Sequence, residues 1–138
     1  MPTSPPESSA PRHQQRERAL SLLYEAELKG SSPMEVLDAL PVRPDPYVCT
    51  LLQGAEATRL EADTRISEAS VGWPIDRMAV IDRLVLRLAV AELLDGNGPP
   101  MAVVIDEAVE LAKTYSTDDS GSFVNGILST IAAQVHPG

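Results

Sequence analysis

A chain of 138 residues is one domain's worth and long enough to bury a single core. Its composition is globular, at 43% hydrophobic and 22% charged, and with aromatics at only 4% the interior must be built from Leu, Val, Ile and Ala. The one cysteine, Cys49, excludes an intramolecular disulfide and fits a reducing cytoplasm, which is the expected location. Residues 1–11 are polar and Pro-rich and lack the apolar block of a secretory signal. No stretch reaches the roughly 18 uninterrupted apolar residues of a membrane span, so no membrane partner is expected. The net charge of −9 argues at first sight against nucleic acid. Its distribution softens that objection. Residues 1–24 hold Arg12, Arg16 and Arg18 against Glu7 and Glu17, so the negative excess lies wholly in the remainder. An arginine-bearing end on an acidic body can present a local basic patch.

Residues 1–11, with Pro2, Pro5, Pro6 and Pro11, read as a disordered arm. From Arg12 the pattern is helical: Ala19, Leu20, Leu22, Leu23 and Ala26 recur at helix spacing until Gly30 stops the run. Ser32-Pro33-Met34-Glu35 has the form of a capping box with proline in the first helical position. That helix is short, because Pro41, Pro44 and Pro46 follow.

A long helix is expected from Pro46 to Ala69, with Val48, Leu51, Leu52, Ala55, Ala62 and Ile66 on one face. Gly72-Trp73-Pro74 breaks it and reads as packing and hinge between two subdomains, residues 12–72 and 73–138. The next helix, about Val80 to Asp95, is apolar nearly all round, the mark of a central pillar buried on more than one side. Its wide apolar face would also permit a homodimer. Gly96-Asn97-Gly98-Pro99-Pro100 is a turn. A helix over Ala102 to Tyr115 puts Val104, Ala108, Leu111 and Ala112 on one stripe, and a last helix over Ser122 to Val135 buries Val124, Ile127, Leu128 and Ile131. The polar turn between them suits capping. Asn125-Gly126 lies inside the last helix, where a glycine costs roughly 1 kcal/mol against alanine, and close helix packing is the expected compensation. Nothing alternates with period 2, so the fold class is all-α.

Three stretches carry a resemblance. Arg16-Glu17-Arg18-Ala19-Leu20-Ser21-Leu22-Leu23-Tyr24-Glu25 is an arginine-bearing first helix ending in a Leu-Tyr pair. Trp73-Pro74-Ile75-Asp76-Arg77 leads to Asp82-Arg83-Leu84-Val85-Leu86-Arg87 and Glu92-Leu93. The third and most specific is Asp106-Glu107-Ala108-Val109-Glu110-Leu111-Ala112-Lys113, then Asp119-Ser120 and Phe123-Val124-Asn125-Gly126-Ile127-Leu128. Together, over Arg12 to Val135, the chain resembles the NusB family of bacterial transcription antitermination factors. The resemblance implies a helical fold of about seven helices in two small subdomains. It also implies partners: NusE, a small-subunit ribosomal protein, and with it the boxA RNA of ribosomal RNA leaders, inside an antitermination complex of RNA polymerase that supports rRNA synthesis.

The resemblance marks Arg12, His13 and Arg16 as the basic run that meets phosphate, with Arg18 one helical step away. Arginine suits that task because its planar fork donates two hydrogen bonds to one phosphate. Gln14 departs from the pattern, at a position often basic in the family. Asp119 and Phe123 match positions near the RNA, where an aromatic ring can stack on an unpaired base. The competing reading is that Phe123 is core and Asp119 an N-cap. Tyr24 is either a groove contact or half-buried packing. Asp82, with Arg83 beside it, matches a partner-facing position and is a candidate ion-pair contact with NusE, although a single charge on a solvated helix face usually has no such role.

Catalysis finds no support. His13 and His136 lie near the ends, Cys49 stands alone, and no metal-ligand spacing, phosphate-binding glycine loop or dinucleotide-binding pattern is present. No cofactor is expected. Two rivals to the antitermination reading remain. One is an RNA-recognition module of the kind fused to ribosomal RNA methyltransferases, although no methyltransferase domain is expected within these residues. The other is a protein-interaction module of the same fold with weak or no RNA binding.

Overall fold

The computed structural model describes residues 10–137. Among them are seven α-helices and no strand: α1 (Arg12–Lys29), α2 (Pro33–Asp38), α3 (Pro46–Ala57), α4 (Arg59–Ala69), α5 (Val80–Leu94), α6 (Met101–Tyr115) and α7 (Ser120–Val135), with a 3-10 turn (Ile75–Arg77) before α5. The expected N-terminal arm falls, for residues 1–9, outside the described residues, and Pro11 already serves as the N-cap of α1. Gly30 ends α1 at φ 66°, a left-handed conformation that costs glycine little, and lets the chain return N–H groups to the carbonyls of Ala26 and Glu27. At α2 the capping box forms as read: the Glu35 N–H donates to Ser32 Oγ at 3.1 Å, and the Ser32 N–H donates to Glu35 Oε1 at 2.7 Å.

The single helix expected over residues 46–69 is two. Thr58 leaves helical geometry at φ −100°, ψ 8°, and its Oγ1 donates back to the Gly54 carbonyl at 2.8 Å. A β-branched hydroxyl bonded to the preceding turn bends a helix. Gly54 has a second role, since a Cβ there would sit 3.5 Å from the Ala91 Cβ, so α3 lies close against α5. The expected inner face survives the bend: Val48, Leu51, Leu52, Ala55, Ala62 and Ile66 are all buried.

Helix α5 is the pillar. It contacts α1, α3, α4, α6 and α7, and Leu84, Val85, Leu86, Leu88, Val90 and Leu93 are almost wholly enclosed. Most of the wide apolar face of α5 is consumed within the chain, with Val80 exposed at its start. Two further corrections concern residues read as packing. Trp73 is 53% exposed. Gly126 has open space where a Cβ would stand, whereas at Gly121 a Cβ would lie 3.0 Å from Lys113 Cγ, so the close approach of α7 to α6 occurs one turn earlier.

Of the buried charges, Arg16, Glu92 and Arg87 are paired by geometry. Arg87 on α5 donates a fork to Asp63 on α4, Nε–Oδ1 at 2.7 Å and Nη2–Oδ2 at 3.0 Å. α4 thus fastens onto the pillar by a bidentate bond as well as by Ala62 and Ile66. Leu86 is completely buried on that pillar. Leu86→Ala is expected to lower stability by about 2–5 kcal/mol, read as a fall in the urea midpoint with the slope unchanged.

Candidate nucleic-acid and partner interface

The basic run on α1 lies among carboxylates. Arg16 is 3% exposed, and its Nε and Nη2 donate to Glu92 Oε1 and Oε2 at 3.0 and 2.9 Å. Glu92, also buried, sits on the last full turn of α5 and accepts a further bond from the Tyr47 hydroxyl of α3. Burial, then the bond to Glu92, pushes the Tyr47 phenol well above its ordinary pKa, so it stays a donor. Arg16 therefore corrects the expectation drawn from the first helix: its donors face inward, and it pins α1 to α5. Arg12 lies outside this cluster with its guanidinium 3.9 Å from the centre of the Tyr47 ring, a cation–π contact, and donates to Gln15 Oε1 at 3.3 Å.

His13 bridges α1 to α6. Its Nδ1 is 2.8 Å from Glu107 Oε1, and its Nε2 is 3.7 Å from Glu17. The hydrogen bond to Glu107 does most to hold the imidazole above its usual 6.5; desolvation opposes it, and the charges of Glu107, Glu17 and Glu110 add to it. Arg18 is exposed, and among the described residues no carboxylate lies within ion-pairing reach of it. Of the four residues read as one phosphate-binding run, one is internal, two are engaged at the surface and one is open.

The aromatic candidates flank the start of α5. Tyr24, 39% exposed, lines an open groove of 430 Å³ with Glu17, Leu20, Ser21, Ile81 and Tyr115. The Tyr115 hydroxyl donates to Glu17 at 2.6 Å and closes one end. On the other side of the α5 start, a cavity of 370 Å³ is walled by Trp73, Met78, Asp82, Thr117, Asp119 and Phe123. Phe123 is half-buried and packs against the core while bordering this cavity. Asp119 occupies the N-cap position of α7, but its side chain caps nothing. Hydroxyls hold that turn instead: Ser120 Oγ accepts from the Thr117 N–H at 3.2 Å and lies 3.0 Å from Ser116 Oγ.

The two residues assigned to a protein partner part company. Arg83 donates to Glu27 of α1 at 3.1 Å. Asp82 is not on a solvated face: it is 7% exposed, its Oδ1 has no hydrogen-bond partner, and it opens into the Trp73–Phe123 cavity. Its place in the first turn of α5 supplies favourable helix-dipole charge, but a buried carboxylate oxygen without a donor still costs free energy. The sequence brought Asp82 forward through resemblance alone, and it missed Tyr47, Glu92 and Glu107, whose partners lie far away along the chain. Among the described residues no group of three or more His, Cys, Asp or Glu is placed to hold a metal, and no helix is long and apolar enough to cross a membrane.

Comparison with known proteins decides the family. The NusB family model matches residues 13–133. The chain belongs to the NusB family. Solved NusB structures agree with the fold over almost the full length. NusB of T. maritima is 33% identical with a TM-score of 0.82, the match covering 92% of this chain and 94% of that one. NusB from Aquifex aeolicus is 31% identical at TM-score 0.71, covering 92% of each. The antitermination factors NusB and NusE in complex with double-stranded RNA give 32% identity at TM-score 0.74, over 89% of this chain and 96% of that one.

Two predictions follow from the cluster geometry. Glu92→Ala leaves Arg16 buried and uncompensated and is expected to cost about 3–5 kcal/mol, whereas Arg16→Met combined with Glu92→Leu recovers most of it, both read by denaturant unfolding. His13 has a folded pKa above its unfolded value. Its stabilising contact with Glu107 is therefore complete below about pH 6.5 and fades as pH rises through the raised value. The urea midpoint should decline as pH rises above about 6.5, and His13→Gln should flatten that decline.

Proposed function

We propose that this chain is a transcription antitermination and rRNA-synthesis factor that binds boxA-type RNA together with NusE, within the RNA polymerase antitermination complex of the cytoplasm, and catalyses no reaction. The observation that supports this most is family membership together with the likeness, over 89% of the chain, to a NusB assembled with NusE and double-stranded RNA. In this reading Arg12, His13 and Arg18 meet phosphate, while Tyr24, Asp119 and Phe123 meet the bases from the grooves on either side of the α5 start. Arg16 acts as a positioning residue that fixes the angle of α1. Asp82 meets a donor carried by NusE through the Trp73–Phe123 cavity, and Arg83 orients the neighbouring surface through Glu27.

One specific observation favours the second reading, a protein-interaction module with weak RNA binding: His13 and Arg16 are already engaged by carboxylates of the same chain. Fluorescence anisotropy of a labelled boxA-like RNA, titrated with this protein and NusE, separates the two. The antitermination reading expects boxA to bind more tightly than a scrambled strand. Phe123→Ala should then weaken boxA binding by roughly 1–3 kcal/mol, and Arg18→Ala should reduce the salt slope by about 1. Equal, weak binding of both strands with NusE capture intact would leave only the interaction module. Asp82→Asn has a separate signature. It removes a buried charge compensated only in part by the helix dipole, so stability should change by no more than about 1 kcal/mol while NusE capture weakens.

A further inference from the structure

We propose that Glu107 is an intramolecular competitor for phosphate, a carboxylate seated where an RNA phosphate would sit, so that it sets how strongly the basic end of α1 binds RNA. The inference rests on the RNA reading above and deepens it. One oxygen of Glu107, Oε1, is 2.8 Å from His13 Nδ1 and 3.8 Å from Arg16 Nη1. A carboxylate oxygen held between two cationic side chains has the chemistry of a phosphate oxygen in the same place. Arg16 does not depend on it, because Glu92 already takes its fork at 2.9 and 3.0 Å. The competitor can therefore leave without unpairing the buried arginine. The contact is also reachable from solvent, since the side chains of His13 and Glu107 keep 43% and 26% exposure.

The charges around His13 are few and identifiable. Glu17 faces it from its own helix, Glu107 and Glu110 from α6, and Arg16 completes the group from below. Each carboxylate favours the imidazolium, yet only Glu107 touches it within hydrogen-bond distance. Glu110 instead lies 3.9 Å from Lys113 with both side chains well exposed. The two glutamates sit three residues apart on one helix, and exchanging either for glutamine alters net charge identically. They differ only in contact.

The test compares the wild type, Glu107→Gln and Glu110→Gln. Binding of inorganic polyphosphate and of the boxA-like RNA is measured at low salt and about pH 6, where the imidazole is charged, and the His13 titration is followed by NMR in each. Expected are an affinity gain of about fivefold for polyphosphate in Glu107→Gln, the scale of one released surface ion pair, a clearly smaller gain in Glu110→Gln, and a His13 pKa lowered clearly more in the former, which also loses the hydrogen bond. Equal gains in both variants would reduce the effect to bulk charge and overturn the proposal. So would no gain in Glu107→Gln, or no polyphosphate binding by any of the three. A gain on polyphosphate alongside boxA and scrambled RNA bound equally would uphold the competitor while removing the boxA reading.

Discussion

Arg16 in α1 and Glu92 in α5 are separated by 76 residues and meet as a two-pronged buried ion pair that also takes the hydroxyl of Tyr47 from α3. Three helices converge on that one carboxylate. Removing two charges from water is costly, and the mutual attraction repays the cost only when the remaining lone pairs and protons are satisfied. Here the fork supplies two bonds and the phenol a third. The cluster adds little stability over an apolar replacement, but it permits only one rotation and one height of α1 against the pillar. The other side chains of α1 are placed by that constraint: Arg12 on the Tyr47 ring, His13 against α6, and Tyr24 at the groove two turns on.

The same constraint explains how an acidic protein can carry a nucleic-acid face. A net charge of −9 spread evenly would oppose phosphate everywhere. Ion pairs such as Asp63 with Arg87, Glu27 with Arg83, Glu61 with Arg65 and Glu25 with Lys29 each use a cation too and leave that excess unchanged, so what matters is how charge is distributed around the α1 end. Within a Debye length of about 8 Å at physiological salt, local geometry outweighs the total. The balance at the α1 end then turns on single contacts such as that of His13 with Glu107.

Local order was readable from the sequence to the extent that its causes are local. Gly30, the Ser32 capping box and the apolar stripes of α5, α6 and α7 all act through neighbours a few residues away, and they appear where the pattern places them. The bend at Thr58 was missed because periodicity reads straight through it: both halves keep one inner face, and only a side-chain bond to Gly54 separates them. Arg16 was misplaced for the opposite reason. An arginine beside Gln14 and Glu17 looks solvated, and nothing near it in the chain tells of Glu92. Trp73 and Gly126 were misread by residue type, the first because large aromatics are usually packed, the second because a helical glycine usually faces a neighbour. The candidate site is legible as a list of residues and illegible as an arrangement.

Asp82 shows why arrangement matters. On α5 the other enclosed charges, Arg87 and Glu92, are fully engaged, and the chain demonstrates by them that it can pair a buried charge when packing demands it. At Asp82 it does not. The first turn of α5 offers partial compensation through the helix dipole, yet Oδ1 is buried with no donor to meet it, on a residue that borders the cavity of Trp73 and Phe123. A folded core gains nothing from that oxygen. A donor reaching it in the proposed contact would meet a carboxylate already stripped of most of its water. In the proposed contact with NusE, the cost borne by the isolated chain would be the free energy that the incoming donor recovers, so that a position poor for stability would be prepared for recognition.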